Sequence, residues 1–205
     1  MNILSSDIDS MEKRFRINFI NSLPGFKSAN LIGTVSNSGI ANLAVFSSVI
    51  HVGANPPLMG LLFRPVSVPR HTYLNIRETG HFTINHISDY LYKRAHQTSA
   101  RYPDNVSEFD ECGLTPEYTE LVNAPYVKEA QIKIGLKLVE EKEIHSNATV
   151  FLIGQVEEVI LPDSIILEDG VIDIEKARTV TISALNSYHK TELIDRLPYA
   201  KTDRE

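Results

Sequence analysis

ANLIGTVSNSGIANLAVFSSVIHVGANPPLMGLLFRPVSVPRHTYLN, residues 29 to 75, is the stretch whose reading decides the fold. Leu31 to Val35 is a short apolar strand. Ser36-Asn37-Ser38-Gly39 follows it, and Asn and Gly tolerate the positive φ that a hairpin turn needs. The chain is therefore expected to fold straight back, with Ala41 to Phe46 as the second strand and Ser47 and Ser48 at its end. Two adjacent hydroxyls terminate a strand, cap a helix or bind an oxyanion. Val49 to Val52 extends the apolar pattern until Ala54-Asn55-Pro56-Pro57 breaks it. Leu58 to Phe63 is apolar at almost every position, as in a strand covered on both faces. Arg64 emerges at its end, where a guanidinium takes an anionic partner or stays solvated. Past Pro65 and Pro69, Arg70 to Gly80 reads as a short helix, with Gly80 just beyond its last turn and His71-Thr72 near its start. The N-terminal amides of that helix can meet a phosphate, whereas Thr72 and Asn75 can equally be its capping residues. Buried strands that end in hydroxyls, amides and cations have the composition of an anion-binding site.

Outward from this stretch the pattern stays mostly β. Residues 12 to 20, EKRFRINFI, alternate loosely between polar and apolar and read as a first strand, broken by Leu23-Pro24-Gly25. His81 to His86 alternates with period two and is a further strand. Ser88-Asp89 caps an expected helix through about Ala100, with Leu91 and Ala95 on one face. Residues 101 to 125 are polar and hold Pro103, Pro116 and Pro125, an excursion over the surface. From Gln131 to Leu138, Ile132, Ile134, Leu136 and Leu138 face one way and Gln131, Lys133, Gly135 and Lys137 the other. Thr149 to Ile160 returns as its long hairpin partner, and Asp169-Gly170 sets a further hairpin within Ile165 to Ile174. Thr181 to Lys201 has no steady period, which suits a segment draped over a surface or a partner subunit. At least six strands joined largely by hairpins predict a mainly β fold, an antiparallel Greek-key-like barrel with a few inserted helices. A doubly wound parallel sheet is disfavoured, since strand and helix do not alternate and no GxGxxG follows a strand.

Composition bounds the possibilities. At 205 residues the chain is long enough for one well-buried core, and no linker-like stretch divides it, so residues 1 to 205 are expected to form one domain. Hydrophobic residues make up 42% and charged residues 22%, the balance of an ordinary globular protein. A net charge of −6 with scattered Lys and Arg argues against a nucleic-acid surface. No 18-residue apolar stretch points to a membrane span. Asp7, Asp9 and Glu12 precede any apolar run, unlike a secretory signal. One cysteine, Cys112, cannot form an intrachain disulfide, and the cytoplasm is the expected location. His71, His81 and His86 show no metal-ligand spacing, and no GxSxG is present, so neither a metal nor a side-chain nucleophile is expected.

One resemblance gathers these signals. The order NxxGTVSNSGIANLAVFSS, then NPPL, then RHTYLNIRETGHFTIN resembles the flavin reductase-like family, the FMN-binding split barrels that include flavoredoxins and the flavin reductase components of monooxygenases. It covers about residues 20 to 100, more weakly the sheet from 131 to 160, and the LIDRLPYAK ending resembles a longer-chain branch. The resemblance implies FMN in a barrel mouth near a homodimer interface. The isoalloxazine would lie against Asn42, Ala44, Val45 and Phe46 and against Leu62 and Phe63. The phosphate would sit among Ser47, Ser48, Arg64, Arg70, Thr72 and Asn75, with His71 beside them. A dianionic phosphate wants such donors and one or two guanidinium groups.

The resemblance further implies hydride transfer from NADH or NADPH to FMN, then electron delivery to free flavin, oxygen or a partner such as a monooxygenase. A flavoredoxin-type carrier, reduced by another protein, is the second reading. A barrel holding haem or a pyridoxal-type phosphate is the third. The chain lacks the Gly-Asp-His element that such reductases often carry late in the sequence for the nicotinamide. Asn186, Ser187, Tyr188, His189 and Lys190 stand there instead; either His189 or Lys190 can take a similar role towards the nicotinamide nucleotide, and Tyr188 and His189 join the candidate set.

Overall fold

The computed structural model describes residues 1–202 and opens with two helices, α1 (Ser5–Ser10) and α2 (Lys13–Ser22). The strand expected over residues 12 to 20 is thus a helix. Glu12 decides it: its carboxylate accepts the backbone amides of Arg14 and Phe15 at 2.8 and 2.9 Å, which caps a helix start. Phe15 and Phe19, four residues apart, then stack at 6.4 Å on one helical face, a spacing that a period-two reading misses.

From there the chain is largely antiparallel. In order come β1 (Lys27–Ser28), β2 (Asn30–Val35), β3 (Ala41–Phe46), β4 (Val49–Ala54), β5 (Pro57–Phe63), α3 (His71–Thr79), β6 (His81–His86), α4 (Tyr92–Gln97), α5 (Glu108–Glu111), β7 (Pro116–Glu117), β8 (Tyr126–Val127), β9 (Lys133–Ile144) and β10 (Thr149–Ile160). β11 (Thr181–Ser183) and β12 (Ser187–His189) follow. Seven strands make one sheet in the order β3-β2-β6-β9-β10-β5-β4. Its two edge strands are consecutive in the chain and joined only by Ser47-Ser48. Two residues span a few ångströms, so the sheet must curl until its edges meet at that corner. The result is a barrel split between β3 and β4.

The barrel interior is filled by Ile32, Leu61, Phe63, Phe82, Ile84, Ile134, Leu136 and Leu152, with Tyr73 and Ile76 of α3 packed among them. A second cluster, Leu31, Leu43, Ile87, Leu91, Phe109 and Val127, covers the outer face of β2 and β3. Ile32 and Leu31 serve opposite clusters, so β2 is buried on both faces. The excursion from 101 to 125 forms much of this outer cover and lies flush on the sheet. A Cβ on Gly33 would meet the Pro125 carbonyl oxygen at 2.0 Å, and one on Gly135 would meet the Tyr126 hydroxyl at 2.0 Å.

Three boundaries differ from expectation. The helix after Ser88 is the short α4, because Ser88 bridges Thr179 and Asp89 is held by Arg178 and Lys190 at 2.7 and 2.6 Å. β9 runs on to Ile144 through the charged residues 140 to 143, carried by its pairing with β10 and not by an apolar period. Thr181 to His189, expected to lack regular structure, forms the β11–β12 hairpin on β1. No helix among the described residues is long and apolar enough to cross a membrane.

Candidate functional site

β3 is the element on which the candidate residues converge, and its edge is open. The Glu108 carboxylate accepts the Leu43 amide at 2.9 Å, so that amide points away from β2. Amides on an antiparallel strand alternate sides, and the Val45 amide, two residues on, therefore faces the same open edge. Ala44, Val45 and Phe46 are half-buried beside it. Glu108 was invisible to sequence reasoning because nothing local links it to β3. Burial holds its carboxyl above the usual carboxylate range, against the opposing pull of the Leu43 amide and of nearby His71.

At the corner, Ser48 donates its hydroxyl to the Leu62 carbonyl at 2.7 Å, and the Leu62 amide returns to the Ser48 carbonyl at 3.4 Å. This brings Ser47 and Ser48 against Leu62, Phe63 and the first residue beyond β5, Arg64. Phe46 and Phe63 meet edge to face at 5.1 Å, and Phe63 meets Tyr73 of α3 at 5.6 Å, an apolar floor behind the polar rim. Phe63 is a core residue, while Leu62 turns outward. Lys27 of β1 stands here too, its pKa lowered by burial and by the Arg64 charge. No ion pair among the described residues takes Lys27, Arg64 or Arg70.

The other end of β3 is different. Asn42 donates to the hydroxyls of Thr72 at 3.0 Å and Thr34 at 3.3 Å, and Asn75 donates to Thr34 at 3.2 Å. Thr34, Asn42, Thr72 and Asn75 are 0%, 6%, 5% and 6% exposed. Thr34 could have been found from the sequence, because the expected hairpin sets it directly across from Asn42. Asn42 and Asn75 of this network line a cleft of about 530 Å³ whose walls also include Ser36, Ser38, His71, Leu74 and Glu78. Asn42 and Phe46 are four residues apart, ~13 Å along a strand. Ser47, Ser48, Leu62, Phe63 and Arg64 thus form one group and Asn42, His71, Thr72 and Asn75 another, with Ala44 and Val45 between them. Arg70 is exposed at the start of α3.

Tyr188 and His189 point to opposite faces of β12. Tyr188 packs with Tyr92 at 5.6 Å and bonds His96 at 3.2 Å, and burial pushes its hydroxyl up to about 12. His189 instead meets the Ser183 hydroxyl at 2.8 Å and the Phe26 ring at 4.9 Å. Lys190 is paired with Asp89.

A strand edge with an outward-facing amide, an aromatic floor and a corner of hydroxyls and of cations without a carboxylate partner among the described residues suits a planar heterocycle bearing an anion. Comparison with known proteins agrees. Residues 23–190 match the family model described as a flavin reductase like domain. A split-barrel protein from Shewanella frigidimarina NCIMB 400, assigned as a flavin reductase, is 50% identical with a TM-score of 0.94, over 98% of this chain and 100% of that one. Nitrilotriacetate monooxygenase component B from Bacillus cereus is 25% identical, TM-score 0.85, over 96% and 100% of the two chains. Flavoredoxin of Desulfovibrio vulgaris (Miyazaki F) is 26% identical, TM-score 0.75, over 86% and 92%.

Proposed function

The chain belongs to the flavin reductase-like domain family, and from that premise we propose that it is an FMN-binding oxidoreductase of the NAD(P)H-dependent flavin reductase type. One observation carries the reading: the bond from the Ser48 hydroxyl to the Leu62 carbonyl holds the Ser47-Ser48 corner, where the barrel splits, beside the strand end that leads into Arg64, a cation without a carboxylate partner among the described residues. Such a donor set fits a phosphate monoester. Ser47, Ser48 and Arg64 would hold it, with Arg70 and the start of α3 nearby. Ala44, Val45, Phe46 and Leu62 would flank the ring, and Phe63 would back it.

When bound, FMN supplies the acceptor for a hydride from a reduced nicotinamide. The chain's own share is positioning. The open-edge Val45 amide offers a fixed, uncharged donor, and the Phe46 and Phe63 rings keep water from one side. Glu108 fixes β3 from the outside through Leu43, so the strand keeps its place whether or not a ligand is present. His189, half-buried against the Phe26 ring, is the residue we assign to the nicotinamide nucleotide. Thr72, Asn75 and Asn42 act from behind as the frame that seats α3 on β3. We further assign the chain to the cytoplasm as a homodimer. Leu193, Ile194, Leu197 and Tyr199 favour it, since all four are large, apolar and well exposed on the segment after β12.

The test is anaerobic. Purified protein is mixed with excess FMN or FAD and with NADH or NADPH, and flavin absorbance is followed. Protein-dependent bleaching over many turnovers supports the reductase and names both preferred nucleotides. The likeness to flavoredoxin favours a second reading, an electron carrier reduced by a partner protein. Bound flavin that stays oxidised with either nicotinamide would replace the first reading with that one.

A further inference from the structure

Lys27 lies in β1, outside every motif that pointed to the site, yet a run of contacts carries it to the corner. Its neighbour Ser28 donates its hydroxyl to the carbonyl of Val49, the first residue of β4, at 3.2 Å. One residue back, Ser48 is bonded to Leu62, and Arg64 follows two residues later. The Lys27 ammonium donates to the Ala184 carbonyl at 2.8 Å and to the Asn21 carbonyl at 3.3 Å. These acceptors belong to the β11–β12 turn and the last turn of α2, so the side chain is clamped from two sides. An ammonium has three donors; two are taken by carbonyls and one is left. Arg64 stands near enough for its charge to disfavour the Lys27 ammonium, and neither cation has a carboxylate partner among the described residues. An ordinary surface lysine would be free to swing into solvent. The two carbonyls hold this one in place, with its remaining donor left for an anion.

We propose that Lys27 is a phosphate ligand of this site, sharing the phosphate of the flavin with Arg64, Ser47 and Ser48. It is then, with Arg64, a group by which the protein distinguishes phosphorylated flavin from riboflavin. The proposal rests on the flavin reading of the corner. It also gives the N-terminal helices a part in the site, since the Asn21 carbonyl that steers Lys27 belongs to α2.

The test compares wild type, Lys27→Met and Lys27→Arg by flavin fluorescence quenching, titrated with FMN and with riboflavin at low and high salt. Lys27→Met is expected to weaken FMN about tenfold, the size of one charge-assisted contact, with riboflavin affinity changed less than about twofold. Lys27→Arg should retain most FMN affinity, and the salt dependence of FMN binding should be shallower in Lys27→Met. Equal losses for both flavins, or no loss for FMN, would overturn the proposal by leaving Lys27 a purely structural tie. A wild type that binds neither flavin would defeat the flavin reading instead. Inorganic phosphate then decides for Lys27: a rise in melting temperature with phosphate that Lys27→Met abolishes sustains it, and an equal rise or none overturns it.

Discussion

Asn42 and Phe46 stand four residues apart on β3, and the polar groups around them meet opposite fates. Around Asn42, every hydrogen bond named runs between buried side chains of the same fold: Asn42 to Thr34 and Thr72, Asn75 to Thr34. Around Phe46, Lys27 and Arg64 come from two different segments, and neither has a carboxylate partner among the described residues. A satisfied buried network rigidifies what surrounds it. Cations without a counter-charge among the described residues lack that tie and suit an anion from outside. The same strand therefore has one end tied into the fold and one end proposed for the ligand, even though both carry residue types that suit a phosphate.

The sharpest way to break this comparison is at the structural end. Asn42→Leu removes an amide and strands the Thr72 hydroxyl in a buried site, so a loss of about 2 kcal/mol is expected. Urea unfolding should show a lower midpoint with an unchanged slope, and the surviving folded protein should bind FMN within about threefold of wild type, well under 1.4 kcal/mol. A variant of full stability with FMN binding abolished would exchange the roles of the two ends.

Arg64→Gln probes the other end and should behave in the opposite way. Arg64 is exposed and takes part in no ion pair among the described residues. Stability is expected to move by no more than about 0.5 kcal/mol, while FMN affinity falls about tenfold, about 1.4 kcal/mol. Titration with FMN and riboflavin in parallel checks it, since only the phosphorylated ligand should notice the change.

How far this division could be read beforehand depends on the kind of signal. Ser36 to Gly39 has local turn chemistry, so the β2–β3 hairpin was legible, and its register alone sets Thr34 across from Asn42. Ser47, Ser48 and Arg64 were legible as strand ends. Their convergence also follows from chain order, because β3 and β4 are joined by two residues. Thr72 and Asn75 were legible as polar residues in a short helix, but not which way they turn, since burial depends on how α3 seats against β2. Glu108 and Lys27 were not legible at all. Each acts on residues far along the chain, Leu43 for the first and Ala184 for the second, and no periodicity encodes such a pairing. The helix at Lys13–Ser22 was hidden by a different cause: EKRFRINFI satisfies period two loosely, and only the Glu12 cap resolves the ambiguity.

A smaller effect separates Tyr188 from His189. Tyr188 belongs to the packed side of β12, so Tyr188→Phe should keep its ring contacts, lose the His96 bond and cost about 1 kcal/mol in stability. Its KM for the nicotinamide should be unchanged. His189→Ala should also cost about 1 kcal/mol, through the lost Ser183 bond, but should raise that KM several-fold. Steady-state kinetics on the two variants would show whether the residues are as separate in function as they are in direction.

The smallest expected effect is one of slope. Glu108 pins the outer edge of β3 at Leu43, one residue from Asn42, and its folded-state pKa lies above the ordinary value of 4.5. The folded protein therefore holds this proton more tightly than the unfolded chain does. The sign follows from proton linkage: stability falls as pH rises from the unfolded value through the folded one. Above that window the charged, buried carboxylate keeps a fixed cost, offset by the bond from Leu43 and by His71. Glu108→Gln keeps an oxygen for the Leu43 amide but cannot ionise, so its unfolding free energy should lack that decline in weakly acid solution. Parallel urea titrations between pH 4 and 7 would reveal the difference. If the two proteins kept the same pH slope, Glu108 would be solvated like any surface carboxylate, and β3 would need some other restraint at its open edge.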